Sequence, residues 1–184
     1  MSLNNLGNLL SATNELKQAQ DYYEEALEIR RKLAKQNPEA YKPDVATTLN
    51  NLGNLLNNTN HLKQAQAYYE EALEIRRELA EQNPEAYKPD VAMTLNNLVI
   101  LYLELKKKGD AEKAYQGAHD IYQKLAGRHP GAYEIDYAGI LVMGFFLLGK
   151  PKEDLEEAKA ILGNYPEHPK AQNFLSFIEQ LAKR

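Results

Sequence analysis

The sequence predicts an all-α protein, an α-solenoid of stacked helical hairpins, and three observations predict it. Sliding the chain against itself by 46 residues aligns Leu3, Leu49 and Leu95, then Pro38, Pro84 and Pro130, then Tyr41, Tyr87 and Tyr133. Self-similarity at such a period marks a repeat architecture, in which each unit buries its apolar face only against its neighbours. Within each period the apolar residues recur at i, i+3 and i+4, the helical spacing, and clusters of Asn and Pro separate them. No stretch alternates apolar and polar residues in the manner of a strand.

The first two copies are almost one text: residues 3–48 and 49–94 differ at seven positions. In the second copy, Lys42-Pro43-Asp44 places a proline in a first helical turn and an acid near the positive end of the helix dipole, which predicts a helix from about residue 43. Asn57-Asn58-Thr59-Asn60 ends it. The next helix, about 61–81, carries Leu62, Ala65, Tyr69, Ala72, Leu73, Ile75 and Leu79 on one face and stops before Asn83-Pro84. The segment QNPEAYKPD between hairpins reads as an irregular turn whose tyrosine packs back on the stack. The units are therefore about 1–42, 43–88, 89–134 and 135–167, in a single array spanning 1–184.

The third copy, from Leu95, keeps Ala111, Tyr115 and Ala118 but places Val99 where the earlier copies have Gly7 and Gly53. In the fourth, Ile140 to Leu148 leaves almost no polar face, which predicts a helix buried on all sides. The cover is expected from a capping helix, about 168–184, whose Ala171, Phe174, Leu175, Phe177, Ile178 and Leu181 follow helical spacing, docked on units three and four. The first unit has two residues before Leu3 and so lacks its first helical turn. The chain is accordingly read as part of a longer array, with an uncovered N-terminal end prone to fraying or self-association.

Composition excludes several classes of function. With 43% apolar and 26% charged residues the chain is of the folded, soluble kind, and a net charge of −4 gives no footprint for nucleic acid. There is no cysteine, which fits a reducing compartment, and neither a signal peptide nor an apolar run of about 20 residues is seen. The expectation is a cytoplasmic protein with no membrane and no nucleic acid among its partners. His61, His119, His129 and His168 stand alone, without metal-ligand spacing, and Gly144, Gly149 and Gly163 have no phosphate-loop spacing. Glu24-Glu25 and Glu70-Glu71 lie near Arg76 and Arg77 at spacings that suit ion pairs along one solvated helix. No cofactor, metal or catalytic constellation is expected, so the protein is not read as an enzyme.

Leu49-x-x-Leu52-Gly53-x-x-Leu56, followed by Ala65, Tyr69 and Ala72, resembles the tetratricopeptide repeat, with leucine at the usual aromatic position. PDVATTLNNLGNLL followed by AQAYYEEALEIR is similar to the longer repeats of the kinesin light chain class, common in bacterial scaffolds. The resemblance covers residues 2 to about 163. It implies that the outward face of each first helix lines the concave side of a right-handed superhelix.

That implication bears on the paired asparagines. Steps of about 100° place Val45, Thr48, Leu49, Leu52, Gly53, Leu55 and Leu56 on one arc, and Thr47, Asn50, Asn51, Asn54 and Asn58 on the other. Asn4, Asn5 and Asn8, then Asn50, Asn51 and Asn54, then Asn96 and Asn97 would form a ladder along one groove. A carboxamide both donates and accepts, so such a ladder can take an extended peptide by its backbone. In the resembling repeats such asparagines contact bound peptides; the alternative is that they only keep the surface wet. A clamp for C-terminal carboxylates would need Lys and Arg where Asn4, Met93 and Asn97 stand. The expectation is a scaffold for a protein or peptide ligand, with a regulatory repeat domain of a larger signalling protein, or a self-assembly module, as the alternatives.

Overall fold

The computed structural model describes residues 2–182, which form nine α-helices and no strand. They are α1 (Leu3–Ala12), α2 (Leu16–Gln36), α3 (Pro38–Asn58), α4 (Leu62–Gln82), α5 (Pro84–Glu104), α6 (Lys108–Arg128), α7 (Pro130–Leu148), α8 (Lys152–Gly163) and α9 (Pro169–Ala182). Met1 and the expected end of the capping helix, 183–184, lie outside the described residues. The chain divides into two compact units, 1–111 and 112–184, and the division falls inside α6.

The segment between hairpins is not an irregular turn. A single residue, Asn37, separates α2 from α3, and Asn83 separates α4 from α5. Each of these asparagines caps the helix that follows, its side chain accepting from the backbone N–H of Ala40 or Ala86 at 3.3 Å. Pro38 and Pro84 then occupy the first turn, where a missing N–H removes no ladder bond. The second proline of the phrase misled the expected start at Pro43. It lies inside α3, denying one carbonyl its partner, and the helix absorbs that loss because the Asn37 cap and Pro38 have already nucleated it. The helix pairs thus begin about five residues earlier than the expected unit boundaries.

Between the helices of a hairpin the chain turns through Asn14 (φ 64°), Asn60 (φ 62°) and Lys106 (φ 60°). Asparagine tolerates this left-handed conformation; lysine does so less readily.

In the first unit α2 packs on α3, α3 on α4 and α4 on α5, with Leu49, Leu52, Leu98 and Leu101 fully buried. Gly7 and Gly53 let a tyrosine of the second helix lie directly against the first. A Cβ there would stand 2.6 Å from the ring of Tyr23 or Tyr69, so the glycine is the seat of the tyrosine.

In the second unit α7 packs on α8, and α9 docks on both. The same device recurs with other partners: a Cβ on Gly144 would lie 2.5 Å from the Tyr115 hydroxyl, and one on Gly139 would lie 2.6 Å from the Phe174 ring. The expectation that α7 is buried on all sides needs correction. Leu147 is 48% exposed, and Met143, Phe145 and Phe146 are half-buried. The cover is partial: Phe177 of α9 is itself 45% exposed and stands T-shaped to Phe146, at 5.7 Å between ring centres. By length and composition alone, α7, at 19 residues, would suffice to cross a membrane, contrary to the sequence reading; half of it is buried inside the protein.

Candidate functional site: the asparagine face of the first helices

Register along α1, α3 and α5 places the asparagines of successive copies beside one another, and the structure joins them. The Asn51 amide nitrogen donates to Asn4 Oδ1 at 3.3 Å and to Asn8 Oδ1 at 3.1 Å. One repeat later Asn97 donates to Asn50 Oδ1 at 3.3 Å and Asn54 Oδ1 at 3.2 Å. These asparagines bond to each other from one repeat to the next. Neither use considered from sequence, ligand contact or a wet surface, included this one.

Two of the expected site residues are not on the outer face at all. Asn4 and Asn50 are 5% and 4% exposed. Asn50 lies on the seam between arcs, where the helix turns toward its partner, and its Oδ1 also accepts from Arg76 Nη1 at 3.4 Å. Thr47 is half-buried, and its hydroxyl donates to the Pro43 carbonyl of its own helix at 2.9 Å. Asn51, Asn96 and Asn97 are half-buried, while Asn5, Asn8, Asn54 and Asn58 are exposed. Asn96 Oδ1 is buried without a hydrogen bond among the described residues.

Arginines that sequence reasoning left on a solvated face hold the seam together. Arg30 Nη1 donates to the Asp44 carbonyl at 3.1 Å and to the Thr48 hydroxyl. Arg76 repeats this with the Asp90 carbonyl at 3.1 Å and the Thr94 hydroxyl, and at 3% exposure it is buried. Each guanidinium thus ties the second helix of one repeat to the first helix of the next. The signal was present: Thr48 and Thr94, polar residues on the apolar arc, each stand 18 residues after an arginine. Charged pairs likewise run across the array more than along its helices, as Arg31 with Glu71 at 2.6 Å and Lys42 with Glu78 at 2.5 Å show.

The outer rungs have a fixed polarity. Asn8 Oδ1 accepts from Tyr23 OH at 2.7 Å as well as from Asn51, and Asn54 Oδ1 accepts from Tyr69 OH at 2.5 Å as well as from Asn97. Both lone pairs of each oxygen are taken, so the oxygens are held against the protein and the two exposed NH2 groups are left outward, with no partner among the described residues. Burial raises the phenol pKa of both tyrosines, with the Glu104 carboxylate adding to the effect at Tyr69, which keeps these donors protonated. Chemically, this face offers hydrogen-bond donors to carbonyl or carboxylate oxygens. Among the described residues no group of three or more His, Cys, Asp or Glu is placed to hold a metal ion.

Comparison with known proteins agrees with this architecture. A family model described as tetratricopeptide repeat matches residues 1–39, 45–85 and 91–131. The crystal structure of BtubC (BKLC) from P. vanneervenii is similar, with a TM-score of 0.63 at 23% identity over 96% of this chain. The match spans 63% of that protein's length. No curated protein sequence matches the chain.

Proposed function

Because the chain belongs to the tetratricopeptide repeat family, we propose that it is an interaction scaffold binding an extended peptide or partner segment across the asparagine face of α1, α3 and α5. One observation carries this reading: the outward NH2 groups of Asn8 and Asn54, fixed by four hydrogen bonds to their oxygens and themselves unmatched. Donors held in place lose little freedom when a ligand carbonyl arrives, which is the economy of a pre-organised site. The inner residues, Asn4, Asn50 and Arg76, set the spacing of the rungs and do not meet the ligand.

The test exploits an isosteric change. Asn8→Asp with Asn54→Asp keeps an oxygen for each tyrosine and each neighbouring asparagine but replaces the outward donors with an acceptor. Affinity for peptides selected from a displayed random dodecapeptide library should fall about tenfold or more, with melting temperature little altered. Equal affinity in the two proteins would remove the face from consideration.

Self-association is the second reading, favoured by Leu9 and Ile29, which are 52% and 43% exposed at the N-terminal end. Light scattering across a concentration series decides it.

A further inference from the structure

The outer face changes character between its second and third copies. On α3, Thr47 and Asn54 stand a turn before and a turn after Asn50 and Asn51; on α5 the same register holds Met93 and Ile100. Both are exposed, at 39% and 37%, although each is large and apolar. Met93, Asn97 and Ile100 follow i, i+4, i+7 spacing and so form one stripe along α5. Asn97 fixes where that stripe faces, because its amide reaches Asn50 and Asn54 on α3. An apolar strip therefore continues the line of outward donors at Asn54 and Asn8.

We infer that the ligand of this face is an extended peptide with one bulky apolar side chain, seated on α5 between Met93 and Ile100, whose backbone carbonyls run over Asn54 and Asn8. The inference rests on the scaffold reading above and adds to it the composition of the ligand. Donors alone take any peptide, since every residue has a carbonyl. The apolar strip supplies what donors lack, a preference among side chains, because only a residue that covers Met93 and Ile100 removes their surface from water. A short polar side chain leaves them wet.

The probe is again a displayed random dodecapeptide library. Selected peptides should share a bulky apolar residue at one position, and changing that residue to serine should weaken binding about tenfold. The protein variant Met93→Thr with Ile100→Asn gives the third copy the residues that the second already carries at those positions. On it the same serine change should alter affinity less than about twofold, the non-additivity expected of a direct contact. If that variant folds poorly, methyl-labelled methionine in the unaltered protein replaces it: the Met93 signal should shift on peptide addition and the Met143 signal should not. Peptides without a common apolar residue, or an equal serine effect on both proteins, overturn the anchor. If, in that case, Asn8→Asp with Asn54→Asp still abolishes binding, the face survives and only the anchor falls. Failure of the library to yield any binder, or full affinity in the double aspartate variant, overturns both.

Discussion

Leu9 and Leu55 hold the same place in LNNLGNLL, which stands at both 3–10 and 49–56, yet one is 52% exposed and the other 2%. The difference extends through the two copies. Ile29 is 43% exposed where Ile75 is half-buried, Leu33 is half-buried where Leu79 is 5% exposed, and Arg30 keeps some solvent where Arg76 is closed off. Two causes account for these contrasts. Helix α1 has 10 residues where α3 has 21, so α2 lacks the cover that the first turns of α3 give α4, marked there by the Lys42–Glu78 pair. Leu55 also sits on a helix packed between α2 and α4, whereas α1, which carries Leu9, packs on α2. Identical sequence therefore carries different energy, and most of it resides in the interfaces between units.

The sharpest way to break this comparison is to remove the same methyl groups from both copies. Leu55→Ala should destabilise by about 2–5 kcal/mol, as cavities in closed cores do, and Leu9→Ala by under about 0.5 kcal/mol. Urea unfolding monitored by circular dichroism measures both, and equal losses would contradict the interface account. Next in size is the buried seam. Arg76→Ala removes the donor to the Thr94 hydroxyl and the Asp90 carbonyl and leaves Asn50 Oδ1 with Asn97 alone, and should cost about 2–3 kcal/mol, against about 1 kcal/mol for Arg30→Ala, a half-buried guanidinium beside the exposed Asp44. Asn50→Ala should cost about 1–2 kcal/mol while Asn5→Ala is close to silent. A smaller effect belongs to the third turn, where Lys106 occupies the left-handed position that Asn60 fills one copy earlier. Lys106→Asn should raise stability by about 0.5 kcal/mol, read as a rise in melting temperature.

The tyrosine seats add a pH dependence common to both copies. Burial raises the phenol pKa of Tyr23 and Tyr69 in the folded state, so the folded protein favours the protonated form. That contribution is whole below the unfolded phenol pKa of about 10 and is lost as pH rises through the higher folded value. Alkaline titration followed at the phenolate absorbance should show tyrosines ionising together with loss of helix. Ionisation of every tyrosine near its ordinary pH, with helix intact, would contradict the seats at Gly7 and Gly53.

The period, the hairpins and the covering helix were legible because burial imposes a spacing on apolar letters, and spacing survives in a sequence. The place where α3 starts was less so, since PEAYKP contains two prolines suited to a first turn and only the cap geometry of Asn37 chooses between them. The asparagines were found but misjudged. A helical wheel assigns each residue an angle and says nothing of a neighbour one repeat away, so the bonds from Asn51 to Asn4 and Asn8 were beyond it. Arg76 was missed for the same reason: its partners lie 14 and 18 residues further on, past the end of its own helix.

One feature of the fold governs how such a molecule can change over time. Between α2 and α3, and again between α4 and α5, there is a single residue, so a hairpin hands the chain to the next without slack. An added residue at that joint would rotate every later helix by about 100° relative to the earlier ones, pulling Thr48 off Arg30 and Asn51 off Asn4 and Asn8. Length variation is thereby confined to the turn inside each hairpin, or to the gain and loss of whole repeats. The near-identity of residues 3–48 and 49–94 is the trace such growth leaves: the array enlarges by copying a complete unit, and a copy is at once correctly phased with the one beside it.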